Sequence, residues 1–240
     1  MIVYGRNPVR EALRGRRAVR RVWASRSAAR EPWLRGVAVE VADDAELTER
    51  CGSPDHQGVC AEVDPYPYAD AGSLLERDDA FVVCLDQVTD PRNLGAVCRV
   101  AECAGLSGVV IPERRSAEIT PAACKASAGA VEHLPVARVR NLADWLAEAK
   151  EAGAWVYGAD AAGIPYTQPD YGGKVVLVLG SEGRGLRRRV REACAALVAL
   201  PMRGKVASLN VSSAAAALVY GILQSRLDKG SITPRYCRPP

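Results

Sequence analysis

Short apolar runs of β-branched residues, each ending abruptly at glycine or proline, constrain the fold of this chain most strongly. Val175–Leu179 is a continuous apolar run, typical of a strand buried on both faces of a sheet, and a glycine-rich segment follows it at 180–185. Ala195–Leu200 is a second such run, and it ends at Pro201. Ser208–Asn210 then leads into an alanine-rich helical segment. Because ligands bind outside the carboxyl ends of strands in open α/β sheets, we expect the active site at these boundaries.

The second half of the chain alternates strand-like and helical segments. Besides the two runs above, the predicted strands are Phe81–Leu85, Val109–Ile111, Leu134–Val139 and Trp155–Asp160, and the predicted helices end near Ala104, span Ile119–Ala126 and Asn141–Glu151, and follow Asn210. The segment Asp86–Gly95 is predicted to be the loop before the first of these helices. Strands that alternate with helices indicate an α/β fold with a parallel sheet covered on both faces.

A smaller α/β unit precedes this part of the chain. Asn7 and Pro8 predict a helix start, with Asn7 as the cap, and the helix ends near Arg14. The other predicted elements are strands at Val19–Ala24, Gly36–Ala42 and Val59–Val63 and a helix at Asp43–Arg50. Prolines and charged residues then interrupt the pattern. We therefore expect a first domain at 1–66, a linker at 67–79, a second domain at 80–228 and a C-terminal tail at 229–240.

The charge of the first domain is uneven. Residues 1–35 hold ten arginines and two acidic residues, whereas residues 36–63 hold one arginine and seven acidic residues, although the whole chain has a net charge of only +4. Clustered arginines suit the phosphate backbone of a nucleic acid, and Trp23 and Trp33 nearby could stack on RNA bases. The alternative is a solvated basic face beside two partly buried tryptophans.

The composition argues against a membrane protein and against a metal site. No apolar run approaches the roughly 20 residues of a membrane span. The first residues lack the apolar core of a signal peptide, so we expect a cytoplasmic protein without a membrane partner. The eight cysteines are scattered and form no C-x-x-C pair, so we interpret them as small buried hydrophobic residues. Since the chain has only two histidines, no metal site is expected.

Two polar motifs in the second domain are candidates for chemistry, and each has a structural alternative. The glycine-rich segment after Leu179 matches neither the dinucleotide-binding nor the phosphate-loop pattern, so this segment and its carboxylate, Glu182, could equally form a tight turn. Asn93 and Arg99 lie six residues apart and do not share a helix face. A surface ion pair with Glu102 would be the structural explanation of Arg99.

A third polar motif precedes the last helix. Ser208 or Asn210 can cap that helix, and an apolar stripe begins on it at Val211. Capping alone would account for the polar residues. The small residues that flank them would also suit the close approach of a ligand or of another stretch of backbone.

Together, these motifs resemble those of a known family in order and spacing. The three motifs are Asp90-Pro91-x-Asn93-x-Gly95-Ala96-x-x-Arg99, Gly180-Ser181-Glu182-Gly183-x-Gly185-Leu186, and Leu200-Pro201-Met202 followed by Ser208-Leu209-Asn210-Val211-Ser212. They resemble the motifs of the SpoU (TrmH-like) RNA ribose methyltransferases of the SPOUT superfamily. Further motifs resemble the RlmB branch of that family, which methylates a guanosine ribose in 23S ribosomal RNA. They are Lys125-x-Ser127-Ala128-Gly129-Ala130-x-Glu132-His133-Leu134-Pro135, Tyr4-Gly5-x-Asn7-Pro8-Val9 and His56-Gln57-Gly58.

The resemblance implies a fold that composition and spacing do not reveal. It implies an α/β catalytic domain with a parallel sheet and a deep C-terminal trefoil knot formed by Lys174–Arg226, although knots are nearly absent among proteins. It also implies that the small first domain resembles the ribosomal protein L30e and binds RNA. The family is dimeric with its active site at the subunit interface, so a homodimer is expected, and no DNA partner is expected.

The resemblance also implies the reaction and its residues. S-adenosylmethionine would donate a methyl group to a ribose 2′-hydroxyl of structured RNA, and 23S ribosomal RNA is the expected substrate. The implied cofactor-binding residues are Leu179, Gly180, Leu200, Met202, Ser208, Leu209 and Val211, with Asn210 in support, and the implied catalytic residues are Arg99, Asn93 and Glu182. Since a guanidinium normally stays protonated, we expect Arg99 to bind the adjacent phosphate and stabilise the developing alkoxide. Glu182 and Asn93 would orient Arg99 and the substrate across the interface.

Two other functions remain open on the sequence. A methyltransferase of the same family could act on transfer RNA instead of 23S ribosomal RNA. The chain could also be a non-catalytic RNA-binding protein related to L30e. That second alternative predicts no cofactor binding, and it gives no reason for the three motifs of the second domain.

Overall fold

The computed structural model describes residues 1–206 and 208–230, which form two β-sheets with helices packed around them. Most of the predicted tail at 229–240, with Cys237, lies outside the described residues. Within the described ranges, no helix combines the length and apolar character that crossing a membrane requires.

The first unit is built around a four-stranded sheet. Its elements are β1 (Ile2–Tyr4), α1 (Arg6–Arg14), β2 (Val19–Ala24), β3 (Glu40–Val41), α2 (Asp44–Cys51) and β4 (Val59–Val63), with short 3₁₀ helices at Ala28–Arg30 and Pro32–Leu34. The strand order is β1-β4-β2-β3. β4 runs antiparallel to β1 and β2, and β3 runs parallel to β2. β2 and β4 confirm two of the predicted strands.

Two predictions for the first unit are wrong. The predicted strand Gly36–Ala42 pairs with the sheet only at Glu40–Val41, because the chain turns at Gly36 (φ of +83°) and reaches β2 late. Asn7 does not cap α1, which begins two residues earlier than predicted, at Arg6 after Gly5, without a side-chain cap. The side chain of Gln57 serves there instead, because it accepts a hydrogen bond of 3.0 Å from the backbone N–H of Arg6.

The second unit is built around a six-stranded parallel sheet. Its elements are β5 (Phe81–Asp86), α3 (Pro91–Cys103), β6 (Gly108–Pro112), α4 (Pro121–Ala126), β7 (Val136–Val139), α5 (Leu142–Glu151), β8 (Trp155–Pro165), β9 (Val175–Gly180), α6 (Arg188–Ala193), β10 (Ala196–Ala199) and α7 (Val211–Asp228), with 3₁₀ helices at Ser73–Leu75 and Ala130–Glu132. All neighbouring strands are parallel, in the order β10-β8-β9-β5-β6-β7. The sheet confirms the predicted fold class, and the trefoil knot stays a prediction.

Helix starts in the second unit follow from local capping. Asp90 accepts a hydrogen bond of 2.8 Å from the backbone of Arg92, and Pro91 takes the first helical position, so α3 begins inside the segment predicted to be a loop. Asn210, one of the two caps that the sequence allowed, caps α7 through a hydrogen bond of 2.9 Å from the backbone of Ser212. The short helix α6 was not predicted.

The segment between the units packs against the second unit. The hydroxyl of Tyr66 donates a hydrogen bond of 2.8 Å to the carbonyl of Leu134, and the hydroxyl of Tyr68 accepts one of 2.9 Å from Ile119. Ala69 forms an isolated parallel bridge with Ala137 on β7. Buried apolar residues of both units belong to one continuous core, so the two units pack as one body around this segment.

Candidate active site

A cavity of about 440 Å³ lies at the carboxyl ends of β9 and β10, beside the middle of β8 and the start of α7. Its lining is largely apolar and ranges from the buried Leu179 and Leu218 to Met202 and Leu209, which are 40% and 45% exposed. The structure brings together around this cavity all seven residues for which the sequence implied cofactor binding: Leu179, Gly180, Leu200, Met202, Ser208, Leu209 and Val211. They come from three separate stretches of the chain.

The glycine-rich segment after β9 forms a closed loop on one side of the cavity. Its ends are joined by a hydrogen bond of 2.9 Å from the backbone N–H of Gly185 to the carbonyl of Ser181. Gly183 and Gly185 have φ angles of +76° and +64°, which side chains rarely adopt. A Cβ atom on Gly180 would lie 2.2 Å from the carbonyl carbon of Gly185. The glycines are therefore needed for the tight turn, and the same turn lines the cavity.

Three polar side chains meet beside this loop. The Nδ2 of Asn210 donates hydrogen bonds to Oε1 of Glu182 at 2.7 Å and to Oδ1 of Asn93 at 3.1 Å. The Nδ2 of Asn93 donates to the same Oε1 of Glu182 at 3.0 Å. Because the Oδ1 of Asn210 accepts from the backbone of Ser212, its amide nitrogen must face the carboxylate. Asn210 therefore caps α7 and also orients Glu182.

Arg99 stands apart from this cluster of Asn93, Glu182 and Asn210. It lies on α3 six residues after Asn93, which corresponds to ~9 Å of helix rise and a different face. Its side chain is exposed, and within the described ranges it forms no hydrogen bond or ion pair, including none with Glu102. Within the described part of one chain, Asn93 and Glu182 thus lie together, whereas Arg99 has no partner there.

Two carboxylates near the cavity were not predicted. Asp86, at the end of β5, is fully buried and accepts hydrogen bonds from Arg187, just after the glycine-rich loop. Asp160 lines the cavity and forms an ion pair with Arg191. The signal for Asp86 was a carboxylate directly after a wholly apolar strand, but its partner lies 101 residues later in the chain. Among the described residues, no cluster of histidine, cysteine and acidic side chains could hold a metal ion.

The cysteines near the core are not built for nucleophilic chemistry. Burial raises the pKa of the Cys124 thiol to about 11, and burial also raises the pKa of Cys84 and Cys98. These thiols stay protonated at neutral pH, and a protonated thiol is a poor nucleophile. Cys103, by contrast, is exposed.

The motif at 125–135 lies at the junction with the first unit. Glu132 and Arg17 form a buried ion pair in which Nε of Arg17 donates to Oε2 of Glu132 at 2.8 Å. The side chain of Lys125 donates a hydrogen bond of 2.8 Å to the carbonyl of Asp55. A Cβ atom on Gly129 would lie 2.7 Å from the Cβ of Glu11, so the two units touch backbone to side chain there. This motif therefore holds the units together.

The structure divides the arginines of residues 1–35 into two sets. The paired set forms ion pairs with acidic side chains and consists of Arg6, Arg10, Arg14, Arg17 and Arg20. The free set is exposed and forms no ion pair within residues 1–206 and 208–230, and it consists of Arg16, Arg21, Arg26, Arg30 and Arg35. Only the free set is available to phosphates without breaking an internal contact.

The two tryptophans of the first unit are not equally available to bases. Trp23 is only 4% exposed, and its Nε1 donates a hydrogen bond of 2.9 Å to Glu40, while the guanidinium of Arg50 lies over its ring. Of the two alternatives for Trp23, the buried tryptophan is therefore the correct one, and its ring is not available to bases. Trp33 is half-buried and packs against the core.

Comparisons with known proteins identify the family to which both units belong. A model of the SpoU rRNA methylase family matches residues 80–220, and a model of the RNA 2′-O ribose methyltransferase substrate-binding domain matches residues 2–69. Among curated proteins, the chain is 42% identical to YacO of Bacillus subtilis, named as a TrmH family tRNA/rRNA methyltransferase, over 80% of this chain and 79% of that protein.

Two solved structures resemble the whole chain. The SpoU methyltransferase AviRb from Streptomyces viridochromogenes, in complex with the cofactor AdoMet, is 28% identical with a TM-score of 0.78, and the match covers 95% of this chain and 90% of that one. An AdoMet-bound rRNA methyltransferase from Sinorhizobium meliloti is 25% identical with a TM-score of 0.79, and the match covers 93% and 86% of the two chains. With both family models matched and the fold shared along nearly its whole length, this chain belongs to the SpoU (TrmH) family of RNA methyltransferases.

Proposed function

We propose that this protein transfers a methyl group from S-adenosylmethionine to a ribose 2′-hydroxyl of structured RNA. The observation that carries the proposal is the cavity at the sheet edge, with the Asn93–Glu182–Asn210 cluster beside it. A non-catalytic RNA-binding protein has no use for either feature. Two proteins of similar fold whose structures contain AdoMet support the choice of cofactor.

The cavity fits S-adenosylmethionine in size and chemistry. Its volume of about 440 Å³ lies in the range usual for small-molecule sites, and buried leucines such as Leu179 and Leu218 can pack on adenine. We assign the backbone of Gly180, Leu200 and Leu209 to hold the cofactor. When bound, the cofactor supplies an activated methyl group, so the protein's own work is to align the acceptor oxygen and manage its proton.

We assign the substrate side of the site to Glu182, Asn93 and Arg99. The two amides that hold Oε1 of Glu182 fix its carboxylate next to the cavity, where it can orient the incoming ribose. Arg99 would grip the adjacent phosphate and stabilise charge on the 2′-oxygen, since a guanidinium is a poor base. Because Arg99 lies outside the cluster of its own chain, we infer that it reaches the cavity of a second copy in a homodimer.

We assign RNA recognition to the first domain, within the proposed boundary at residue 66. Its free arginines supply phosphate contacts that need no internal rearrangement. The expected target is a guanosine of 23S ribosomal RNA, because the motifs at 4–9, 56–58 and 125–135 resemble the RlmB branch. Transfer RNA is the second candidate, because the related Bacillus subtilis protein is named as a tRNA/rRNA methyltransferase.

Calorimetry with S-adenosylmethionine and S-adenosylhomocysteine tests the cofactor assignment. We expect binding in the micromolar range, equal with and without a divalent-metal chelator. An absence of binding, or binding that requires a divalent ion, would contradict the assignment.

Mapping of ribose methylation tests the RNA assignment. Ribosomal and transfer RNA from a strain that lacks this gene should have lost one 2′-O-methyl group, at a guanosine of 23S ribosomal RNA, that the parent strain carries. The purified protein should restore that group in vitro. A loss confined to transfer RNA would replace the first candidate by the second.

A further inference from the structure

A buried carboxylate outside the proposed chemistry is connected to the glycine-rich loop. Asp86 is the last residue of β5, pairs in register with Gly180 of β9, and is 0% exposed. Its Oδ2 accepts a hydrogen bond of 2.8 Å from the backbone N–H of Arg187, and its Oδ1 accepts one of 2.7 Å from Nε of the same residue. One carboxylate thus binds both the main chain and the side chain of Arg187.

These contacts fix the far end of the loop that lines the cavity. The near end is fixed by the sheet, because Gly180 ends β9. Residues 181–185 line the cavity, and only the buried Leu186 separates them from Arg187. Without the Asp86 carboxylate, the segment after Leu186 would lose its two hydrogen bonds to β5.

The cost of burying this charge argues for a role beyond packing. A buried carboxylate loses its hydration, which only well-aligned partners offset, and apolar replacements of buried ion pairs are often equally stable. The other residues of β5 are all apolar and buried, so an apolar residue at position 86 would suit the strand. Such a residue could not hold Arg187.

We propose that Asp86 is a positioning residue, which holds the loop 181–187 in the conformation that lines the cavity and presents Glu182. The inference rests on the proposed function, because it takes the cavity to be the S-adenosylmethionine site. Asp86 does not line the cavity itself and acts through Arg187 and the loop.

The direct test is Asp86→Asn, which keeps the volume and one acceptor oxygen but removes the charge that binds Nε of Arg187. We expect the Kd for S-adenosylhomocysteine and the KM for S-adenosylmethionine to rise about tenfold, because a charge-assisted hydrogen bond is lost. The kcat at saturating cofactor should fall less than about threefold.

Arg187→Met keeps the hydrogen bond from the backbone to Asp86, so its effect on the Kd should be smaller. Trypsin should cleave the loop after Arg184 faster in both variants.

Arg226→Met is the matched control, because Arg226 ties the opposite ends of the same strands. Its Nη2 donates hydrogen bonds of 2.8 Å to the carbonyl of Asp79, before β5, and 2.9 Å to that of Gly173, before β9. Arg226 is 3% exposed, so its loss should lower the Tm. The Kd for S-adenosylhomocysteine should stay at the wild-type value, because these contacts are remote from the cavity.

The outcomes separate the inference from the proposed function. Wild-type protein that binds neither compound contradicts the proposed function and removes the inference with it. Wild-type binding with an unchanged Kd in Asp86→Asn overturns the positioning role alone. The positioning role is also overturned if Arg226→Met and Asp86→Asn lower the Tm equally and raise the Kd equally, because general destabilisation would then explain both rises. If Asp86→Asn fails to fold, Arg187→Met decides by the same comparison.

Discussion

The cavity edge and the domain junction are both made from residues of the recognised motifs, but their polar groups are used in opposite ways. At the junction, Arg17 and Glu132 are buried and satisfy each other. At the cavity, Glu182 is exposed and held by two amides, and Arg99, which stands apart from them on α3, has no partner among the described residues.

The contrast separates residues that hold the molecule together from residues available to a ligand. A buried charge is tolerated in the folded protein only while its partner is present, so both members of the pair are needed for stability. An exposed charge that is oriented but not neutralised can act on a substrate. The same distinction divides the arginines of the first unit into the paired and free sets.

The largest expected effect is at the junction. Glu132→Gln leaves the Arg17 guanidinium buried without its counter-charge, so the free energy of unfolding in urea should fall by about 3–5 kcal/mol. Glu11→Gln, at the exposed edge of the same junction, should cost less than about 1 kcal/mol. The affinity of folded Glu132→Gln protein for S-adenosylhomocysteine should be unchanged. A loss below about 1 kcal/mol in Glu132→Gln would place this pair with the surface ion pairs.

The next largest effect concerns Arg99, where we expect a loss of turnover without a loss of stability. Arg99→Ala should lower turnover about a hundredfold, by analogy with the loss of one oxyanion donor, while stability and cofactor affinity hardly change. Arg99→Lys should also fail, because a point charge cannot replace the planar guanidinium fork. Arg188→Ala is the control, because it removes an exposed arginine that is paired with Glu192. The turnover of this variant should equal that of the wild type. Near-normal turnover in Arg99→Ala would remove Arg99 from the site.

Mixed dimers sharpen the assignment of Arg99. Protomers with Arg99→Ala can be mixed with protomers that carry Gly180→Val. This substitution should disable the cavity, because position 180 has no room for a side chain. If Arg99 serves the cavity of the other copy, heterodimers contain one intact site, and part of the activity should return. Demonstrated heterodimers without activity would rule out the shared site but not the role of Arg99.

A smaller effect should distinguish the two sets of arginines in RNA binding. Replacement of the free Arg26, Arg30 and Arg35 by alanine should lower the slope of log affinity against log salt by about 2–3, because each phosphate contact contributes about one unit. The matched triple replacement takes three of the paired set, Arg6, Arg14 and Arg20. It should change the slope less. Equal changes would show that ion pairing does not decide which arginines meet RNA.

The smallest effect is the pH dependence of the stability that Glu11 contributes at the edge of the junction. Burial pushes the pKa of Glu11 up, but hydrogen bonds from His133 and Arg10 and the charge of Arg14 outweigh it and leave the pKa below its ordinary value of 4.5. Its contribution to stability is therefore present above that value and is lost as the pH falls through the lowered folded-state pKa. Glu11→Gln should flatten the acid limb of the stability curve by about 1 kcal/mol or less. An unchanged acid limb would show that Glu11 contributes nothing there.

Features set by neighbouring residues could be predicted from the sequence. The run Val175–Leu179 gives a buried strand, and Asn210 caps α7, because each depends on residues close in the chain. The strand ends predicted where the active site lies, but the individual cofactor-binding residues were assigned only through the family resemblance, since they come from three separate stretches. Spacing gives no information on how such stretches meet.

Features that depend on distant partners could not be predicted. Asp86 meets Arg187 across 101 residues, and Arg17 meets Glu132 across 115. The composition around Trp23 left open whether its ring stacks on bases or is buried. The contacts with Glu40 and Arg50 that bury it come from elements whose packing the local pattern does not reveal. Likewise, Gly36–Ala42 alternates like a strand, but only two residues find a partner in the sheet.

Transfer of a tritiated methyl group from S-adenosylmethionine to RNA, followed by alkaline hydrolysis, tests the central claim most directly. A methylated 2′-oxygen cannot attack the neighbouring phosphate, so the bond after it survives alkali. The account predicts that the label, transferred to 23S ribosomal RNA, appears in an alkali-stable dinucleotide, and that Arg99→Ala protein gives about a hundredfold less of it. Label in mononucleotides, which indicates base methylation, or no transfer to either 23S ribosomal or transfer RNA would contradict the account.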